Sequence, residues 1–137
     1  MTRSEGAERV VLLIVDDEDD PRELMCRMLE SRRYFPIGAS SVAGALTLLR
    51  GLCIDALVTD HAMPDGDGLA LVRAVRASAH HRDAAVVMLS GPVSDAVRAE
   101  LAALGGRYVP KPVGGDEIVA ILEEELARAR IPRGAAS

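Results

Sequence analysis

A chain of 137 residues has the length of one domain and buries about 68% of its unfolded surface, enough for a core without disulfide or metal staples. Its formal charge of −5 opposes nonspecific nucleic-acid binding, its 49% apolar and 27% charged residues give an ordinary globular balance, and no apolar run is long enough for a membrane span. The stretch MTRSEGAER has no signal-peptide core, and Cys26 and Cys53 fit neither a disulfide framework nor a zinc site; both are expected as buried thiols, in a cytoplasmic protein.

The first element is VVLLIV (10–15), an unbroken apolar run that predicts a strand buried on both faces. Five acids follow it directly, Asp16 to Asp20. Asp20, Pro21 and Glu23 read as the N-cap, first residue and capping-box partner of a helix whose apolar face carries Leu24, Met25, Met28 and Leu29. FPIGA (35–39) predicts a second strand, with Pro36 suited to an edge. Residues 42–50 predict a helix ending near Gly51. IDALVT (54–59) is a third strand stopping at Asp60, and DHAMPDGDG (60–68) is a loop. Residues 69–77 are helical, AAVVML (84–89) is a fourth strand stopping at Ser90, and residues 93–104 form a helix closed by Gly105–Gly106. RYVP (107–110) is a short fifth strand, and Asp116 to about Ala129 is the last helix. Residues 1–8 read as a flexible segment, 9–130 as the domain, and 131–137 as a flexible tail or the start of a linker.

Five β-α units imply one parallel sheet with helices on both faces. Ligands of such sheets bind outside the carboxyl ends of the strands. At those ends stand Asp16, Asp17, Asp60, Ser90 and Lys111, the last being the one Lys among 16 basic residues. Carboxylates crowded together repel unless a cation sits among them. An all-oxygen donor set suits Mg²⁺, with Mn²⁺ as an alternative, and such a site suits phosphoryl chemistry with an Asp nucleophile.

LLIVDDEDD, DALVTDHAMPDGDGLALV, VVMLSG and ALGGRYVPKP, in this order and covering roughly residues 9 to 127, resemble the receiver domain of two-component response regulators. The resemblance implies a flavodoxin-like, doubly wound five-stranded parallel sheet of strand order 2-1-3-4-5 with five helices. It implies Asp60 as the phosphoacceptor. Mg²⁺ would bind to Asp17, Asp60 and the backbone carbonyl of Ala62, with Asp16 acting through water. It also implies Lys111 paired to Asp60 or its phosphate, Ser90 as the switch hydroxyl, Tyr108 as the coupled aromatic, and a cis Lys111–Pro112 bond. The chain departs from the family pattern at His61, where an aliphatic or aromatic side chain is usual, and at Ser90 and Gly91, where Thr and Ala are usual. Pro92 and Pro110 further restrict their segments. His61 itself reads as a solvated loop ring, and His80 and His81 are assigned no role.

The expected function is a phosphorylation switch rather than a conventional enzyme, self-modified and self-dephosphorylated at Asp60. Its expected partners are a sensor histidine kinase or phosphotransfer protein and a downstream protein or attached effector domain. The face of the fourth helix, fifth strand and fifth helix would change affinity and allow a homodimer; no membrane or direct nucleic-acid contact is expected. The alternative is a receiver-like interaction module that does not signal by phosphate. A Mg²⁺ phosphohydrolase would want a second Asp where Ala62 stands, and a cobalamin-binding domain a His one position later than His61.

Overall fold

The computed structural model describes residues 9–129; the expected flexible ends, 1–8 and 131–137, lie outside the described residues. The elements are β1 (Val10–Val15), α1 (Asp19–Leu29), β2 (Tyr34–Ala39), α2 (Val42–Gly51), β3 (Ala56–Thr59), β4 (Ala62–Met63), β5 (Gly66–Asp67), α3 (Gly68–Ala77), β6 (Ala85–Ser90), α4 (Asp95–Ala103), β7 (Arg107–Pro110) and α5 (Gly115–Ala129). Five strands form a parallel sheet in the order β2-β1-β3-β6-β7. Counting only its members, that order is the expected 2-1-3-4-5. The β4–β5 ladder is a two-residue antiparallel hairpin inside the segment read as a loop.

The apolar runs are buried on both sides because alternate side chains feed two cores. Leu12, Ile14, Val58, Val87 and Leu89 pack with Met25, Leu29, Ile118 and Leu122 of α1 and α5. Leu13, Val15, Leu57, Val86 and Met88 pack with residues of α2, α3 and α4. β2 is an edge strand, which lets Pro36 sit in it without costing an outer hydrogen bond.

Three helix starts are capped by side chains: Ser41 accepts from the Gly44 amide, Asp67 from Ala70 and Ser94 from Val97. α1 differs from its sequence reading. Its cap is Glu18, with no side-chain capping bond, and Asp20 lies inside the first turn. The Asp16 carboxylate accepts the Glu18 amide at 3.0 Å, which turns the chain two residues earlier than a capping box at Asp20 would. Pro21 is tolerated there because amides of a first turn have no intrahelical acceptor. α4 starts two residues later than expected, after Pro92 and Val93. It ends in a Schellman motif: Gly105, at φ +75°, donates to Ala102, and Gly106 donates to Leu101.

Cys26 is half-buried and Cys53 is exposed, so the expectation of two buried thiols fails at Cys53. Cys53 lies in the connection between α2 and β3, where its neighbour Ile54 takes the buried side and leaves Cys53 facing outward. His81 is buried, its ring placed between the Ser78 hydroxyl and the Leu52 carbonyl. Arg76 of α3 fastens the end of α4 to the foot of β6, donating to the carbonyls of Leu104 (2.6 Å), Ala84 (2.7 Å) and Arg82 (2.8 Å). Among the described residues, no helix is long and apolar enough to cross a membrane.

Candidate functional site

The carboxyl ends of β1, β3, β6 and β7 meet at one rim of the sheet, where Val15 pairs with Thr59 and Ser90 with Pro110. The backbone continues the ladder one residue further: the Asp16 amide donates to Ala39, the Asp60 amide to Val15 and the Lys111 amide to Ser90. The acids therefore leave rigid strands, not a mobile loop.

Asp16, Asp17 and Asp60 each place a carboxylate oxygen within 4.8 Å of the others. Asp16 is buried, with one oxygen on the Glu18 amide and the other 3.2 Å from Lys111 Nζ. Asp60 accepts its neighbour's amide, His61 N–H, at 2.7 Å, and its other oxygen lies 3.4 Å from Lys111 Nζ. Burial favours the neutral form of Lys111, but the charges of Asp16 and Asp60 outweigh it and hold the lysine above its ordinary pKa. One ammonium against three carboxylates leaves two negative charges in excess. The donors are all hard oxygens, so the set fits Mg²⁺, which takes few carboxylates and keeps several waters.

The remaining predicted residues lie around this cluster. Ser90 is buried at the end of β6. Tyr108, half-buried on β7, donates its hydroxyl to the Gly91 carbonyl at 2.8 Å. Ala62 is exposed in β4, two residues after Asp60. The Lys111–Pro112 peptide is cis. His61 is half-buried rather than solvated, and its Nδ1 is enclosed with no hydrogen-bond partner among the described residues. It falls between the end of β3 and the hairpin, and the Gly68 amide donates to its carbonyl at 2.6 Å, which holds that segment down.

Three supports escaped sequence reasoning. Arg22 donates to the Asp16 carbonyl at 2.9 Å and to Asp19 at 2.7 Å, fixing the acidic turn against α1. Asp65 accepts the amides of Val42 (3.1 Å) and Ala43 (2.9 Å), tying the segment after Asp60 to the start of α2. These bonds, the one from Ala43 foremost, hold the Asp65 carboxyl below its ordinary pKa. Gly68 is where α3 passes closest to the acid: a Cβ there would lie 2.2 Å from the Asp60 carbonyl oxygen. The double Gly of DGDG was the visible signal for this approach; no local pattern marks Asp65 as a cap for a helix 23 residues back.

A cavity of about 240 Å³ opens beside the cluster, between Asp16, Asp60, Lys111 and the apolar side chains of Leu24, Met25 and Met28.

The fold is thus an open parallel α/β sheet with an acidic cluster and a lysine together at its strand ends, where ligands of such sheets bind. The family model for the response regulator receiver domain matches residues 12–123, and the chain belongs to that family. The phosphate regulon transcriptional regulatory protein PhoB of Klebsiella pneumoniae is 32% identical over 119 residues, covering 85% of this chain and 52% of that protein. The chain thus spans about half the length of the curated relatives it first matches. Among solved structures, a response regulator receiver protein from Pseudomonas putida is 28% identical with a TM-score of 0.78, covering 87% of this chain and 99% of that one. The Vibrio cholerae chemotaxis protein CheY4 shares the fold at a TM-score of 0.80 and 24% identity, covering 86% of this chain and 99% of that one.

Proposed function

We propose that this receiver domain is a phosphorylation switch of a two-component system, with Asp60 as the acceptor. The observation that carries the reading is the cluster itself: Asp60 lies among Asp16, Asp17 and Lys111 at the ends of buried strands. An Asp60 carboxylate oxygen attacks the phosphorus of a donor phosphohistidine, the P–N bond breaks, and the donor imidazole departs with the electron pair. Water later attacks the same phosphorus, releasing inorganic phosphate and restoring the carboxylate. Asp17, Asp60 and the carbonyl of Ala62 would hold Mg²⁺, with Asp16 behind a water, and the ion would supply positive charge against the transferring oxygens. Lys111 remains protonated at neutral pH, is already aimed at Asp60, and pairs with the phosphoryl group once it arrives. Ser90 closes on a phosphoryl oxygen, and Tyr108 follows the segment it is bonded to.

The donor is a sensor histidine kinase or phosphotransfer protein of the cytoplasm. The output is altered affinity of the α4–β7–α5 face for a downstream protein, an attached effector domain or a second copy.

Intact mass after incubation with Mg²⁺ and acetyl phosphate tests this. One phosphate adduct is expected in the wild type, absent in Asp60→Asn and without Mg²⁺. An adduct that survives in Asp60→Asn moves the acceptor elsewhere. A wild type that binds neither Mg²⁺ nor beryllofluoride leaves an interaction module that does not use phosphate.

A further inference from the structure

We infer that Arg98 of α4 is a positioning residue for the switch: stacked on Tyr108, it holds the tyrosine hydroxyl on the Gly91 carbonyl and so sets how readily the Ser90–Gly91 segment moves toward Asp60. The inference rests on the reading of Asp60 and Ser90 given above.

The Arg98 guanidinium carbon lies 5.1 Å from the centroid of the Tyr108 ring, within cation–π range. Tyr108 pairs in register with Met88, two residues before Ser90, so its ring lies alongside the end of β6. Its hydroxyl reaches the Gly91 carbonyl at 2.8 Å and the Ser90 carbonyl at 3.4 Å. The Ser90 carbonyl also accepts the Lys111 amide. Ser90 is buried, but Gly91 after it is not packed: a Cβ on Gly91 would find no atom within 4 Å. Pro92, next in the chain, has no amide to donate. The resting position of Gly91 therefore depends on hydrogen bonds, and the one it accepts from Tyr108 is held by a ring with a cation on its face. Arg98 itself is exposed and stands on the helix proposed to meet partners. It links a surface cation to a segment of the site through one side chain.

Removing the cation frees the ring, weakens the hold on Gly91 and raises the population in which Ser90 has moved. Cation–π contacts at exposed sites correspond to about a two- to fivefold change in such a population. A ligand that selects the moved state then binds tighter by the same factor.

The test uses the full chain with ¹³C-labelled tyrosine, which gives two ring environments, Tyr34 and Tyr108. Beryllofluoride with Mg²⁺ is titrated into wild type, Arg98→Met, Arg98→Lys and Arg73→Met. Arg98→Met should start with its Tyr108 resonance displaced toward the saturated position and bind beryllofluoride about two- to fivefold tighter. Arg98→Lys, which keeps a cation, should lie nearer wild type. Arg73→Met breaks the pair with Glu100 and loosens α4 without touching Tyr108, so it should leave the Tyr108 resonance in place. The inference is overturned if Arg98→Met matches wild type in both readouts, or if Arg73→Met reproduces its effect. A wild type that does not respond to beryllofluoride overturns the underlying reading as well, and that failure is visible without any variant.

Discussion

At the scale of single residues, the site is as much a matter of what is missing as of what is present. Gly68 carries no chemistry, yet any side chain there would meet the Asp60 carbonyl, with the first carbon 2.2 Å away. Gly68→Ala should therefore push α3 and the acid apart, at a cost of about 1–3 kcal/mol in urea unfolding, as overpacking does. The acetyl phosphate adduct should fall with it; a variant of wild-type stability and yield would mean the contact is slack. Asp16, Asp17 and Asp60 were legible in the sequence because buried apolar runs end on them abruptly, and a strand end in a parallel sheet has a known place. Arg22 was not legible, because it acts on a backbone carbonyl that sequence spacing does not reveal, and Gly68 was marked only by the paired glycines of DGDG.

At the scale of elements, the helix starts separate local signals from tertiary ones. Asp67 caps α3 through the Ala70 amide at 3.0 Å, whereas Asp20 caps nothing. Asp67→Ala should cost about 1 kcal/mol and Asp20→Ala less than about 0.5 kcal/mol, both read by urea unfolding. Equal costs would contradict the structure. The capping-box pattern at Asp20, Pro21 and Glu23 was a sound local signal that lost to the turn made by Asp16 and Glu18. The Schellman end of α4 was readable because two adjacent glycines after an apolar face have few other uses. The β4–β5 hairpin was not, since two residues per strand leave no periodicity to detect.

At the scale of the whole molecule, charge pairs join parts distant in sequence. Arg33 and Tyr34 at the start of β2 both bond Glu123 of α5, the guanidinium through two nitrogens. Burial, and then the hydrogen bond with Glu123, push the Tyr34 phenol up to about 12. An unfolded tyrosine loses its proton near pH 10. The folded phenol keeps its proton longer, so its contribution is complete below about pH 10 and is lost as pH rises toward 12. Tyr34→Phe should flatten this alkaline limb in thermal melts followed by circular dichroism; an unchanged limb would assign it to other groups. Five parallel strands were readable from the alternation of elements, while their order in the sheet was legible only through the resemblance to receiver domains. The ties across the molecule, Asp65 to α2 and Glu123 to β2, were not, because both join residues that no short window contains together.

Arg76 gives α4 a mechanical character. With Leu104 fastened to Ala84 and Arg82, the helix has a fulcrum at its far end, and its near end begins at Ser94, four residues after Ser90. Nine residues make a lever of about 13 Å, so a tilt of about 10° carries the near end through about 2 Å. With Ser90 as the switch hydroxyl proposed above, a pull there would turn the surface that bears Arg98 through a graded rotation, largest beside the site and vanishing at Leu104.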